Sequence, residues 1–153
     1  RGLTARTDFA PDLPMLQGDR VQFLQVLLNL VMNACDAMSA ASGGREITIR
    51  TGLTGEASIL VSVIDTGTGI APDMLERVFE PFYTTKRDGL GLGLTVCRSL
   101  VEAHGGRLWA TNNPEGGATF HLAHPCAGQG ARTEVSGIRD AGSTNPPGGT
   151  ARS

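Results

Sequence analysis

ILVSVIDTGTGI, residues 59–70, sets a β-branched run against a carboxylate and two glycines. Ile59, Val61 and Val63 alternate with Leu60, Ser62 and Ile64, so the run reads as a mostly buried strand. It ends on Asp65. Thr66-Gly67-Thr68-Gly69 then lets the backbone turn sharply and approach a ligand with no Cβ in the way. A carboxylate at such a loop mouth can accept hydrogen bonds from an amine or amidine edge, the exocyclic amino group of adenine being one example. It can equally close an Asx-turn on its own backbone, and D-x-G-x-G alone does not separate the two.

Upstream, residues 46–53 (EITIRTGL) alternate as a strand, and Gly55 permits a hairpin into the strand ending at Asp65. Residues 3–9 form another strand-like run, ended by Pro11 and Pro14. Gly18-Asp19 supplies a turn and an N-cap for the longest helix, VQFLQVLLNLVMNACDAMSA. Leu24, Leu27, Leu28, Val31, Ala34, Cys35 and Met38 recur there at helical spacing as the expected core stripe, with Cys35 as a packing thiol. At about 100° per residue, Gln22, Asn29, Asn33 and Asp36 gather on the face away from the centre of that stripe. Asn29 and Asn33 stand one turn apart and can converge on one ligand. An Asn oxygen can ligate Mg²⁺ and leave the other positions to water and phosphate, although the pair also fits a plain solvated face.

Downstream, Pro72 opens a short helix over APDMLERVF, and residues 80–94 (EPFYTTKRDGLGLGL) follow. Phe79, Phe82 and Tyr83 form either a hydrophobic hinge or a local core cluster. Hydroxyls, Lys86 and Arg87 then mix with Gly89, Gly91 and Gly93, the composition of a lid. Alternating glycines leading into a helix over residues 94–104 expose N–H groups at the positive end of its dipole, where phosphate binds. Hinge glycines are the alternative, and neither a Gly-Lys-Ser/Thr nor a G-x-G-x-x-G spacing is present. Gly105-Gly106 close the helix. Residues 107–112 and 118–124 read as two final strands joined by a turn over 113–117. His104, His121 and His124 lack mutual ligand spacing, so the sequence points to one helix-end and two strand residues. From Pro125 onward Gly, Ser, Thr, Pro and Arg dominate, and a disordered tail is expected over 126–153 beyond one domain at 1–125.

Across 153 residues, 40% hydrophobic and 18% charged composition fits one soluble globular domain. A net charge of -2 makes no electrostatic case for nucleic acid, so an anionic ligand has to be held locally. Lys86 is the sole lysine. Three cysteines without a C-x-x-C pair suggest neither a disulfide framework nor zinc, and a reducing cytoplasm is the expected setting. No run reaches the roughly 18 apolar residues of a membrane span, and no signal pattern opens the chain. A start at Arg1 rather than Met suggests a piece of a larger protein.

The order of these motifs says more than any one of them. N-x-x-x-N on a helix, D-x-G-x-G after a strand, FEPFYTTK and G-x-G-x-G-L opening a helix resemble the ATP-binding domain of bacterial sensor histidine kinases. That family lies in the superfamily of gyrase, the Hsp90 chaperones and mismatch-repair ATPases. The resemblance covers about residues 4–125. It implies an α+β fold, a two-layer α/β sandwich with a left-handed βαβ unit and a mixed sheet carrying helices on one face, ATP lying between them. It also implies that Asp65 anchors adenine, with Gly67, Gly69 and Ile70 beside it, and that Asn33 is the Mg²⁺ ligand next to Asn29. Phe79 and Phe82 mark the aromatic motif. Gly89, Gly91, Leu92, Gly93 and Leu94 form the phosphate loop, with the Thr95 hydroxyl nearby, and the Thr119 hydroxyl assists adenine binding.

Where many members carry Lys or Arg three residues after the second Asn, this chain has Asp36, so Lys86 or Arg87 is expected to supply that charge. Members that activate water or serine place Glu where Asn29 stands, because those nucleophiles need a base. Asn cannot be one, and a neutral imidazole needs none. The implied activity is protein histidine kinase. The nucleophile is expected on a histidine-bearing dimerisation domain outside this chain, with a response regulator as indirect partner. The rival is a nucleotide-sensing module that signals by lid order alone.

Overall fold

The computed structural model describes residues 2–39, 43–55, 57–80 and 93–126. Along the chain lie β1 (Leu3–Asp8), α1 (Arg20–Ser39), β2 (Arg45–Leu53), β3 (Ser58–Asp65), α2 (Leu94–Ala103), β4 (Arg107–Asn112) and β5 (Ala118–Pro125). The strands form one five-stranded sheet in the order β1-β2-β3-β5-β4. β1 and β2 run parallel with α1 as their crossover, and every other pair is antiparallel. The mixed sheet and its helices are the α+β arrangement the motifs imply.

The apolar run that ends at Asp65 is the middle of this sheet. Val61 faces Leu122 and Val63 faces Phe120 across the β3–β5 ladder. All four are buried in one core with Leu30 and Met38 of α1 and Cys97 and Val101 of α2. Burying each large side chain contributes about 1.5–3 kcal/mol, so the strand that holds Asp65 is firmly anchored in the core.

Asp19 caps α1 as its sequence requires, its Oδ1 accepting from the backbone N–H of Val21 at 2.9 Å and of Gln22 at 3.2 Å. The expected core stripe of α1 is corrected. Val26, Asn29, Leu30, Ala34 and Met38 are buried, whereas Leu24 and Leu28 are more than half exposed along with Val21. The helix is apolar on nearly every side, so periodicity alone could not choose the inward face. By length and composition α1 would also pass for a membrane span. Its inner stripe packs on β2 and β3, which makes it the core helix of a layered fold.

Two further expectations change. The short helix over APDMLERVF is a pair of 3₁₀ turns, Pro72–Met74 and Arg77–Phe79. Pro125 belongs to β5, and Cys126 bridges Leu16. The expected tail beyond it lies outside the described residues. α2 ends as predicted: Gly105 takes a φ of +83°, and the Gly106 N–H reaches back to the Val101 carbonyl at 3.0 Å.

Candidate nucleotide site

Asp65 sits at the carboxyl end of β3, with 2% of its surface exposed. Its Oδ1 accepts from the N–H of Gly67 at 2.8 Å and of Ala118 at 3.2 Å. Burial pushes the carboxyl above the usual carboxylate range, and the two N–H bonds pull it back only in part. Among the described residues no group donates to Oδ2. The geometry leaves room for both the Asx-turn and the ligand reading: one oxygen closes the turn, and the other lacks a partner among the described residues.

The loop after Asp65 is shaped by contacts that are remote in sequence. A Cβ on Gly67 would lie 2.8 Å from the Ala37 backbone, so this glycine lets the loop pack on α1 rather than clearing space for a ligand. Gly69 adopts a φ of +80°. The Asn112 amide then clamps Ile70 at both ends, Oδ1 accepting from its N–H at 2.8 Å and Nδ2 donating to its carbonyl at 2.6 Å. Gly117, at a φ of +89°, passes so close to the Asp65 carbonyl that any Cβ would collide with it. Asn113 Nδ2 donates to that same carbonyl at 3.0 Å. Gly117, Asn112 and Asn113 were invisible as site residues in the sequence, although turn composition at 113–117 marked the segment.

Thr119 lies on β5 beside this loop. It stands opposite Ile64, one residue out of step with Asp65, and side chains alternate faces along a strand. Its hydroxyl is buried and donates to Asn113 Oδ1, so it supports the turn beside the site. Ala118 is the residue that meets Asp65, through its backbone N–H.

α1 connects the two ends of the site. Ala37 meets the loop at Gly67, and Asn29 lies eight residues earlier, about 12 Å along the axis. Asn29 is buried rather than solvent-facing, and its Nδ2 donates to Cys97 Sγ of α2 at 3.3 Å. Burial raises the Cys97 thiol pKa, which keeps it a neutral acceptor. Asn33 is half-buried, one turn further along. Gly93 precedes α2 with open space at its Cα. The Thr95 hydroxyl donates to the Phe79 carbonyl at 2.6 Å, tying the helix start to the aromatic motif. Phe79 is a core residue, edge-on to Phe120 with ring centres 6.0 Å apart, and the Arg98 guanidinium lies over its ring. Ile70 and Leu94 pack at the rim of the same core. Phe82, Lys86, Arg87, Gly89, Gly91 and Leu92 lie outside the described residues.

Fold and site together define an α/β sandwich whose central strand ends in a buried carboxylate, with the loop that follows it packed on α1. A family model for histidine kinase-, DNA gyrase B- and HSP90-like ATPases matches residues 18–128, and the chain belongs to that family. It is 44% identical over 122 residues to sensor protein FixL of Bradyrhizobium diazoefficiens, covering 80% of this chain and 24% of the relative. To sensor histidine kinase TmoS of Ectopseudomonas mendocina it is 40% identical over 116 residues, 74% of this chain and 12% of the relative. The chain thus spans a quarter or less of the length of these two relatives. The solved catalytic domain of histidine kinase ThkA superposes with a TM-score of 0.69 at 33% identity, over 81% of this chain and 79% of that one. Full-length ShkA in complex with AMPPNP gives 0.70 at 31% identity, over 82% of this chain and 26% of that one.

Proposed function

We propose that this chain is the ATP-binding catalytic domain of a two-component sensor kinase, which transfers the γ-phosphate of ATP to a histidine on a separate dimerisation domain. The observation that carries the reading is Asp65, buried with one oxygen satisfied and the other lacking a donor among the described residues. A buried carboxylate without a partner is costly, and the amino group of adenine supplies the missing donor. Asn29 and Asn33 fit the donor chemistry of a Mg²⁺–triphosphate, being neutral oxygen ligands one turn apart, with Asn29 held by Cys97. Bound Mg²⁺ would neutralise phosphate charge. Lys86 or Arg87 would add a further cation, and the amides at Gly89, Gly91 and Gly93 would receive phosphate oxygens.

Asn29 supplies no base, and none is needed. A neutral imidazole nitrogen attacks the γ-phosphorus through its lone pair while the bond to ADP breaks, so positioning and charge stabilisation carry the catalysis. Histidine kinase ThkA has been solved in complex with response regulator protein TrrA, which supports a response regulator as the downstream partner here. Incubation with γ-labelled ATP and Mg²⁺ should leave this chain unlabelled while a dimerisation domain of the same kinase, added in trans, acquires acid-labile, base-stable phosphate. A dimerisation domain that stays unlabelled beside nucleotide-bound protein would favour the nucleotide-sensing alternative.

A further inference from the structure

At the end of α1 away from the Asp65 loop, a cavity of about 330 Å³ opens between the first turns of α1 and the last turn of α2. Its lining includes Gly18, Phe23, His104 and His124. The two histidines are twenty residues apart in sequence, yet their ring centres lie 6.2 Å apart. His104 closes α2 and donates from Nδ1 to the Leu100 carbonyl at 2.9 Å, and His124 on β5 makes the same kind of bond to the Pro125 carbonyl at 2.9 Å. Because a carbonyl only accepts, both neutral rings carry their proton on Nδ1 and present an Nε2 lone pair. Neither Nε2 has a partner among the described residues. His124 is 5% exposed, so its Nε2 is a buried acceptor aimed into the cavity. Both rings border one place: the position a Cβ on Gly18 would take is 3.4 Å from Cδ2 and 3.9 Å from Nε2 of His104, and 3.6 Å from Nε2 of His124.

We propose that His104 and His124 form a two-histidine site for a divalent transition-metal ion of the zinc, nickel or copper class. Metal-bound imidazoles characteristically donate their other N–H to a carbonyl or carboxylate, the arrangement both rings already hold. With metal–nitrogen bonds of about 2.1 Å, the ring centres of two such ligands lie roughly 5.3 Å apart at a tetrahedral angle and roughly 6.5 Å apart when opposed, so the observed 6.2 Å fits a wide ligand angle and tetrahedral zinc draws the rings together by about 1 Å. Burial lowers the His124 pKa, helped by the nearby His104, and so favours the neutral ligand form. Asp19, whose Oδ1 is committed to capping α1, and Arg20 flank the cavity. Among the described residues no third His, Cys, Asp or Glu completes a cage, so water fills the remaining positions of an open site.

Zn²⁺ titrated into the chain without nucleotide or Mg²⁺, with the ring nitrogens followed by long-range ¹H–¹⁵N NMR, tests the assignment. The Nε2 signals of His104 and His124 should move together and saturate at one equivalent. His121 is an internal control, since Ser62 and Thr111 hydroxyls occupy both of its nitrogens. His104→Ala, at a half-exposed position, should fold normally and weaken zinc binding at least about tenfold. Stationary Nε2 signals at millimolar zinc, or undiminished binding by His104→Ala, would overturn the proposal.

Discussion

Asp65→Asn separates the two roles of this carboxylate. The Asn side chain keeps an oxygen to accept from Gly67 and Ala118, at 2.8 and 3.2 Å in the native protein, and replaces the other oxygen by an NH₂ group. Donor then meets donor where adenine would bind. Losing a charge-assisted hydrogen bond costs about 1.5–3 kcal/mol, equivalent to roughly 10- to 150-fold in affinity for Mg-ATP by calorimetry. Stability should move the other way. The folded pKa of Asp65 is raised, so its favourable contribution is complete below the unfolded value and is lost as pH rises through the folded one. Asn carries no such loss, and the empty variant should equal or exceed the native Tm at neutral pH. Unchanged affinity would remove Asp65 from the adenine pocket. A Tm lowered by several degrees would show that the ionised carboxylate stabilises the turn by more than its burial costs.

Gly117→Ala forces a Cβ into the Asp65 carbonyl at a left-handed φ and should destabilise the fold by about 2 kcal/mol or more in urea, whereas Gly93→Ala meets open space, loses only the glycine preference of the α2 N-cap and should cost about 0.5–1 kcal/mol. Asn112→Ala removes both bonds to Ile70 and should cost about 1–3 kcal/mol of stability while weakening ATP binding through the loosened loop. Asn33→Ala should weaken Mg-ATP binding strongly and nucleotide binding in EDTA only slightly; equal losses in the two conditions would refute its role as a metal ligand. Burial lowers the pKa values of His121 and His124, so their contribution is present above the ordinary imidazole value of about 6.5 and is lost as pH falls through the lower folded values. Acid titration of Tm should show this loss, and His121→Gln should reduce it.

Local chemistry was enough for the strand that ends at Asp65, for Asp19 as the cap of α1 and for Gly105 as the terminator of α2, because each depends on neighbours within a few residues. Motif order was enough for the fold and for Asp65, Asn29 and Asn33 as candidates. The inward face of α1 was not legible, since Leu24 and Leu28 are as apolar as Val26 and Leu30 and only packing on β2 and β3 distinguishes them. Nor could the segment GGATF say whether Ala118 or Thr119 meets Asp65, because a shift of one residue along a strand reverses the face and the β3–β5 register is a long-range property. Asn112 on Ile70, Gly117 against Asp65, Cys97 on Asn29 and His104 beside His124 join segments far apart in the chain. Sequence spacing carries no record of such contacts, and the tertiary fold alone creates them.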